Sequence, residues 1–310
     1  MKVVVAGEYS PTCTEKIRAC FPENWDVVTV SPDDAVDVLP DADALIPEHL
    51  RVDAALLDHA ARLRIVQTGA GYDNVDVIEC TRRGIVVCNA AGINANAVAE
   101  QVMAFMLCYY RNIALLDNYM KSGGIGVPAY RGGELRGKTV GIVGLGAVGS
   151  TVVRLCLAFG MRVIAYSRSD RELDGVELVS LDTLLRQSNV VTLHVSLNDA
   201  TRGMINSAVF SIMKSDALLI NTSRGGIVDE TALIDALTTG QIGGACLDVF
   251  AAEPLPIDSP LRSLPNVLLT PHTAGFPDGA KFHERRYRFF AENIERVMRG
   301  EEPENRVDIM

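Results

Sequence analysis

Lys138-Thr139-Val140-Gly141-Ile142-Val143-Gly144-Leu145-Gly146-Ala147-Val148-Gly149 is the stretch on which the fold of this chain turns. A β-branched run ends at Val143, three glycines follow in the spacing G-x-G-x-x-G, and a helical pattern continues from Ala147 to about Gly160. The glycine spacing alone is a weak signal. Followed by another β-rich run at 162 to 166, it has the strand, turn, helix and strand that a dinucleotide-binding βαβ unit requires. Gly144 permits the tight turn, Gly146 lets the backbone approach a pyrophosphate, and Gly149 lets helix and strand pack closely. The helix start at Ala147 and Val148 offers N–H groups and a positive dipole to that anion. Roughly 20 residues on, a carboxylate normally holds the ribose 2′-hydroxyl of NAD. This chain has Tyr166-Ser167-Arg168-Ser169 there instead. A guanidinium between two hydroxyls donates to a 2′-phosphate and does not repel it, which favours NADP. Asp170 lies close by and keeps NAD as the alternative.

Outward from this unit, short β-rich runs alternate with helical patterns along the whole chain, the signature of parallel α/β sheets. Strands are expected at 3 to 6, 27 to 30, 44 to 46, 65 to 67 and 85 to 88, with a helix over 52 to 62 among them. A long helix is expected over 95 to 120, and the glycine-rich segment 122 to 133 has the composition of a linker near a domain boundary. Further strands are expected at 139 to 143, 162 to 166, 190 to 194, 217 to 220, 242 to 246 and 267 to 269, and a last helix over 279 to 298. A chain of 310 residues suits two such domains better than one. The expected class is therefore α/β, with two open parallel sheets and a cleft between them. Ligands of such sheets sit at the carboxyl ends of the strands.

A formal charge of −10 works against a phosphate backbone or an anionic membrane surface, so no nucleic-acid partner is expected. The longest apolar run, 102 to 110, is too short to cross a bilayer, and the amino-terminal residues begin a strand without a signal-peptide pattern. Seven scattered cysteines, none in a C-x-x-C pair, read as reduced and mostly buried thiols, which places the protein in the cytoplasm. No cluster has metal-ligand spacing.

Three segments, each after an expected strand, carry the chemistry: Asn221-Thr222-Ser223-Arg224-Gly225-Gly226, Leu247-Asp248-Val249-Phe250-Ala251-Ala252-Glu253-Pro254 and Thr270-Pro271-His272-Thr273-Ala274-Gly275. With Gly69-Ala70-Gly71-Tyr72-Asp73-Asn74, Val98-Ala99-Glu100, Glu134-Leu135-Arg136-Gly137-Lys138-Thr139 and Gly300-Glu301-Glu302-Pro303, they make the chain resemble the D-isomer-specific 2-hydroxyacid dehydrogenases over almost its whole length. That resemblance implies a Rossmann dinucleotide-binding domain over 99 to 281. It implies a flavodoxin-like substrate domain built from 1 to 98 and 282 to 310. It further implies hydride exchange between the dinucleotide and a small 2-oxo or 2-hydroxy acid, with glyoxylate or hydroxypyruvate the expected substrate.

By the resemblance, Arg224 binds the substrate carboxylate with its forked donors, His272 is the acid and base, and Glu253 is the partner of His272. Ala70, Gly71 and Tyr72 contribute backbone N–H groups to the substrate carboxylate. Asp248 holds the nicotinamide carboxamide, and Val195, Thr222 and Gly275 complete the cofactor contacts. The helical stretch 97 to 110 is expected in a homodimer interface, with burial inside one subunit as the alternative. Side-chain selectivity is expected from Tyr9, Ser10, Tyr72 and Phe276, which no motif constrains. Closure over the substrate is expected to hinge at 123 to 133 and near Gly279. His49 and His59 read as surface residues, and His283-Glu284 with the two arginines after them reads as a solvated helix face or an interface. A phosphite dehydrogenase and a dinucleotide-sensing interaction protein are the rival readings.

Overall fold

The computed structural model describes residues 1–48, 50–130, 132–168, 173–276 and 284–307. The chain divides into two compact units, one of Met1–Asn94 with Phe276–Met310 and the other of Ala95–Gly275. The first holds five strands, β1 (Lys2–Ala6), β2 (Asp26–Val30), β3 (Ala44–Pro47), β4 (Ile65–Gln67) and β5 (Val86–Cys88), all parallel in the order β2-β1-β3-β4-β5. This is the flavodoxin-like order. The second holds β6 (Thr139–Val143), β7 (Arg162–Tyr166), β8 (Val176–Leu178), β9 (Val190–Leu193), β10 (Leu218–Asn221), β11 (Gly244–Leu247) and β12 (Val267–Leu269). They are also all parallel, in the order β12-β11-β10-β9-β6-β7-β8. Both sheets are open, and the second is a Rossmann sheet extended by one strand.

Parallel strands covered on both faces read as unbroken apolar runs, and β6 and β10 are buried at every position. The helix Ala95–Tyr110 packs on the helix Ala147–Ala158, placing Val102, Met106, Val152 and Cys156 in one core with Val140 and Ile142. In the first unit the helix Glu284–Arg299 covers β4. Tyr287, Phe290 and Ile294 are fully buried there, each worth roughly 1.5–3 kcal/mol of burial. Five of the seven free cysteines are buried and the other two half-buried.

Several sequence expectations change. The helix expected over 95 to 120 is two, Ala95–Tyr110 and Ile113–Lys121, separated at Asn112, which adopts a left-handed conformation that asparagine tolerates better than most residues. The helix expected over 52 to 62 is reduced to Ala54–Leu57, capped by the Asp53 carboxylate on the Leu56 N–H. Segment 122–133 lies inside the second unit, and the chain passes between units at Asn94 and Ala95 and again at Gly275 and Phe276. Its glycines serve turns within that unit, Gly123 and Gly126 having φ of 85° and 79°.

The last helix is not a uniformly solvated face. Arg285 and Arg288 are exposed, but Arg286 is buried and ion-paired, because it shares the inward side with Tyr287 and Phe290. Of the surface histidines expected, His59 is exposed, while His49, His283 and the expected hinge at Gly279 lie outside the described residues.

Candidate active site

The glycine turn follows β6. Gly144 has φ of 102°, and a Cβ there would stand 2.6 Å from the His194 carbonyl oxygen and 2.9 Å from Val195 Cγ1. The turn therefore lies directly against the end of β9, at the switch point of the second sheet. A Cβ on Gly149 would fall 2.0 Å from the Gly144 carbonyl oxygen, so only glycine lets the helix Ala147–Ala158 start this close to the strand. Around Gly146, the N-cap of that helix, nothing lies within 4 Å of an added Cβ. Open space thus meets the unbonded N–H groups of a helix start at Ala147 and Val148.

After β7 come half-buried Ser167 and exposed Arg168, while Ser169 lies outside the described residues. At the end of β10, Thr222 Oγ1 is buried with no hydrogen-bond partner among the described residues. An open helix start after β6 and an orphaned hydroxyl after β10, with β9 between the two strands, fit a dinucleotide with a pyrophosphate and polar ribose groups.

Asn221, which sequence reasoning missed, organises the next turn. Its Nδ2 donates to the Arg224 carbonyl at 2.9 Å and its Oδ1 accepts from the Ser223 N–H at 3.0 Å. The Ser223 hydroxyl donates to the Leu193 carbonyl, and Arg224 Nη1 donates to the Ser223 carbonyl at 2.8 Å. Gly225 packs so tightly that a Cβ would stand 1.9 Å from the backbone of Phe250. The turn carrying Arg224 is thereby pinned to the segment that leads to Glu253. An asparagine closing a buried strand just before the arginine was the available signal, because a short amide can tie its own turn.

Asp248 is 1% exposed and both its oxygens serve the segment 270–274. Oδ1 accepts from Thr270 Oγ1 at 2.6 Å and the Thr273 N–H at 2.9 Å, and Oδ2 accepts from the Ala274 N–H at 2.9 Å. The His272 N–H reaches the Asp248 carbonyl at 2.7 Å, with His272 itself at φ 55°. This clamp fixes the imidazole. Its Nδ1 lies 2.6 Å from Glu253 Oε2, and Glu253 Oε1 accepts from the Phe250 N–H at 3.0 Å. Burial works to raise the Glu253 pKa, but the bond and charge of His272, the Phe250 N–H and the Arg224 charge outweigh it and hold the carboxyl below its usual range. Gly275 closes the segment, half-buried.

Among the other histidines, His194 bonds Thr192 Oγ1 at 3.0 Å through Nε2. Burial pushes the pKa of its imidazole down to about 3, although part of the residue's surface is exposed, and so disfavours the doubly protonated ring.

In the first unit, the loop after β4 carries Ala70, Gly71 and Tyr72, whose N–H groups make no hydrogen bond among the described residues. Its flanks are tied down by Asn89 Nδ2 to the Ala70 carbonyl at 3.1 Å and the Ala90 N–H to the Gly69 carbonyl at 2.9 Å. Three successive free donors in an anchored loop suit an anion. Of the four residues expected to sort substrates, Ser10 instead caps the helix Pro11–Arg18. Tyr9 and Phe276 both lie by Arg286, Tyr9 through the Tyr287 hydroxyl and Phe276 with its ring 5.6 Å from the guanidinium.

No helix among the described residues is long and apolar enough to cross a membrane, and no group of three or more His, Cys, Asp or Glu side chains among them could hold a metal. The family model of the D-isomer-specific 2-hydroxyacid dehydrogenase NAD-binding domain matches residues 103–274. A glyoxylate reductase of Aeropyrum pernix is 39% identical, over 99% of this chain and 96% of its own length. A D-3-phosphoglycerate dehydrogenase of Archaeoglobus fulgidus is 38% identical over the whole chain, which spans only 59% of that relative. Among solved structures, an acyclic imino acid reductase in complex with NADPH and D-Arg superposes with a TM-score of 0.87 at 30% identity, covering 99% of this chain and all of the other. By fold, site and kinship, the chain belongs to the D-isomer-specific 2-hydroxyacid dehydrogenases, oxidoreductases that use a nicotinamide dinucleotide.

Proposed function

We propose that this enzyme reduces a small 2-oxo acid, glyoxylate or hydroxypyruvate, to the D-2-hydroxy acid, and that it prefers NADPH. The observation that carries the reading is the 2.6 Å pair of His272 and Glu253 beside Arg224, at the carboxyl ends of the second sheet's strands. Residues 99 to 281 serve the dinucleotide, and 1 to 98 with 282 to 310 serve the substrate. The 144–149 turn takes the pyrophosphate, while Val195, Thr222, Asp248 and Gly275 line the remainder. When bound, the dinucleotide supplies the hydride.

The chain's own residues do the rest. Arg224 holds the substrate carboxylate and turns the carbonyl toward His272, and Ala70, Gly71 and Tyr72 keep, within the first unit, the N–H groups of a carboxylate-binding loop. Glu253 engages Nδ1, which leaves Nε2 to give its proton to the carbonyl oxygen, and the same atom takes the proton back in oxidation. NADPH is favoured by Ser167 and exposed Arg168 after β7, where a carboxylate would hold the 2′-hydroxyl of NAD. Ser169 belongs to the same proposed phosphate site. The NADPH in the related imino acid reductase supports the same cofactor, and the name of the glyoxylate reductase supports the substrate.

Seven free cysteines support a cytoplasmic enzyme. The helix Ala95–Tyr110 lends a homodimer little support, because its apolar residues are largely consumed within the unit. Residues 113–130 support one better, since Ile113, Leu115, Met120, Ile125, Val127 and Tyr130 are all exposed. Initial rates of NADPH and NADH oxidation with glyoxylate, hydroxypyruvate, pyruvate and a branched 2-oxo acid test the proposal. Turnover preferring NADPH, with the preference lost in Arg168→Ala, supports it. Dinucleotide binding without turnover of any acid refutes it.

A further inference from the structure

A buried polar cluster stands at the switch point of the first sheet. Successive connections leave β1 to opposite sides, β2 on one and β3 on the other, and ligands of open parallel sheets bind outside the carboxyl ends at such a point. Tyr9 follows β1 and Glu48 follows β3, so both emerge there. The helix Glu284–Arg299 brings Arg286 and Tyr287 to the same place. Arg286 Nη2 donates to Glu48 Oε1 at 2.7 Å, the Tyr287 hydroxyl donates to the same oxygen at 3.0 Å, and the hydroxyls of Tyr9 and Tyr287 are 3.0 Å apart. Rings of Phe276, Tyr287 and Phe290 surround the guanidinium at 5.6, 5.0 and 5.6 Å. A Cβ placed on Gly69 would stand 3.6 Å from Arg286 Nη1, so the cluster borders the start of the loop 69–72.

Burial works to lower the Arg286 pKa, but Glu48 and the tyrosines outweigh it and hold the guanidinium above its ordinary value. Burial, with the Glu48 charge, pushes the Tyr9 phenol up, so it remains a hydroxyl. As a source of stability a buried ion pair offers little that apolar side chains of equal volume would not. Placed where ligands bind and next to the substrate loop, it has a task in recognition.

We propose that Tyr9, Glu48 and Arg286 recognise the C3 end of the oxo acid and select a hydroxyl there, favouring 3-hydroxy-2-oxo acids over their 3-deoxy analogues and over acids with a second carboxylate. The inference rests on the reading of Ala70, Gly71 and Tyr72 as the carboxylate-binding loop. The cluster pairs its charges internally and presents donors and acceptors without net charge. A substrate hydroxyl both donates and accepts, so it replaces the water it displaces. A methyl group strips that water and returns nothing. A second carboxylate meets Glu48 and finds the guanidinium already paired.

The test compares kcat/KM for hydroxypyruvate, pyruvate, oxaloacetate and glyoxylate, at saturating dinucleotide, in the full-length enzyme and in Tyr9→Phe. That variant deletes one oxygen and keeps the ring packed on Gly7, where an added Cβ would lie 2.8 Å from the phenol. The wild-type enzyme is expected to prefer hydroxypyruvate over pyruvate and oxaloacetate by about ten- to a hundredfold. Tyr9→Phe is expected to lower hydroxypyruvate about tenfold relative to glyoxylate, which has no C3 and so reports general damage. An unmoved ratio, or a wild-type enzyme indifferent between hydroxypyruvate and pyruvate, overturns the inference and leaves the proposed function standing. No turnover of any of the four acids overturns both.

Discussion

Replacing Glu253 by glutamine keeps the shape and one acceptor of the side chain but removes the charge from the 2.6 Å contact with His272. Unit charges about 4 Å apart at an effective dielectric of ~20 interact by about 4 kcal/mol. Here the side chains are 38% and 33% exposed, so solvent screening reduces this to about 1–1.5 kcal/mol. Since about 1.4 kcal/mol is a factor of ten in rate, removing the charge is worth about tenfold. In Glu253→Gln kcat/KM for reduction is therefore expected to fall about tenfold at neutral pH. In the parent enzyme the same loss sets in as pH falls through the lowered Glu253 pKa, whereas the variant has no carboxyl there to protonate. Initial rates of glyoxylate reduction between about pH 4 and 8 measure this. A neutral-pH rate unchanged by the substitution would mean that the charge of Glu253 takes no part in the proton transfer. Stability follows the same charge. Because the folded state holds the Glu253 carboxyl below its usual range, its contribution is present above the unfolded value and is lost as pH falls through the lowered one. The stability difference between the two proteins is thus largest near neutrality and closes in acid.

Asp248→Asn turns one of two hydrogen-bonded acceptor oxygens into a donor facing an N–H or hydroxyl, and is expected to cost about 2–4 kcal/mol in thermal unfolding while loosening the His272 turn. Gly149→Val drives a side chain into the Gly144 carbonyl, so calorimetry should show a loss of about 2–3 kcal/mol together with weakened dinucleotide binding. Unchanged affinity would show that the helix start can retreat without cost. Arg224→Lys exchanges a planar fork for a point charge, and kcat/KM for the oxo acid is expected to fall by about two orders of magnitude with dinucleotide affinity retained. Equal loss of both would place Arg224 outside the substrate's reach.

Most strands were legible because buried parallel strands are continuous apolar runs, and the expected ends mostly lie within a residue or two of the observed ones. β8 was not legible. Val176, Glu177 and Leu178 form an edge strand with two exposed residues, a pattern indistinguishable from a loop. The long helix was read past Asn112 because no glycine or proline interrupts the pattern there, and only the backbone conformation reveals the break. The candidate site was legible wherever chemistry is local in sequence: the glycine turn, Arg224, Glu253 and His272 each sit in a compact motif. The Glu48 and Arg286 pair was hidden because its members lie 238 positions apart and each resembles a surface charge in its own neighbourhood. Arg286 even sits in a run whose neighbours Glu284 and Arg288 do form an exposed pair.

The way the chain is divided has a bearing on its synthesis. The second unit is one uninterrupted segment, Ala95–Gly275, whereas the first is assembled from both chain ends. On the ribosome, the Rossmann sheet has all its strands before the first unit has its last helix. Until Tyr287, Phe290 and Ile294 emerge, the nascent five-stranded sheet carries an uncovered apolar face and Glu48 waits without its guanidinium. A stop codon shortly after Gly275 would thus release a chain whose cofactor-binding half is complete and whose other half is a substrate for chaperones and proteases.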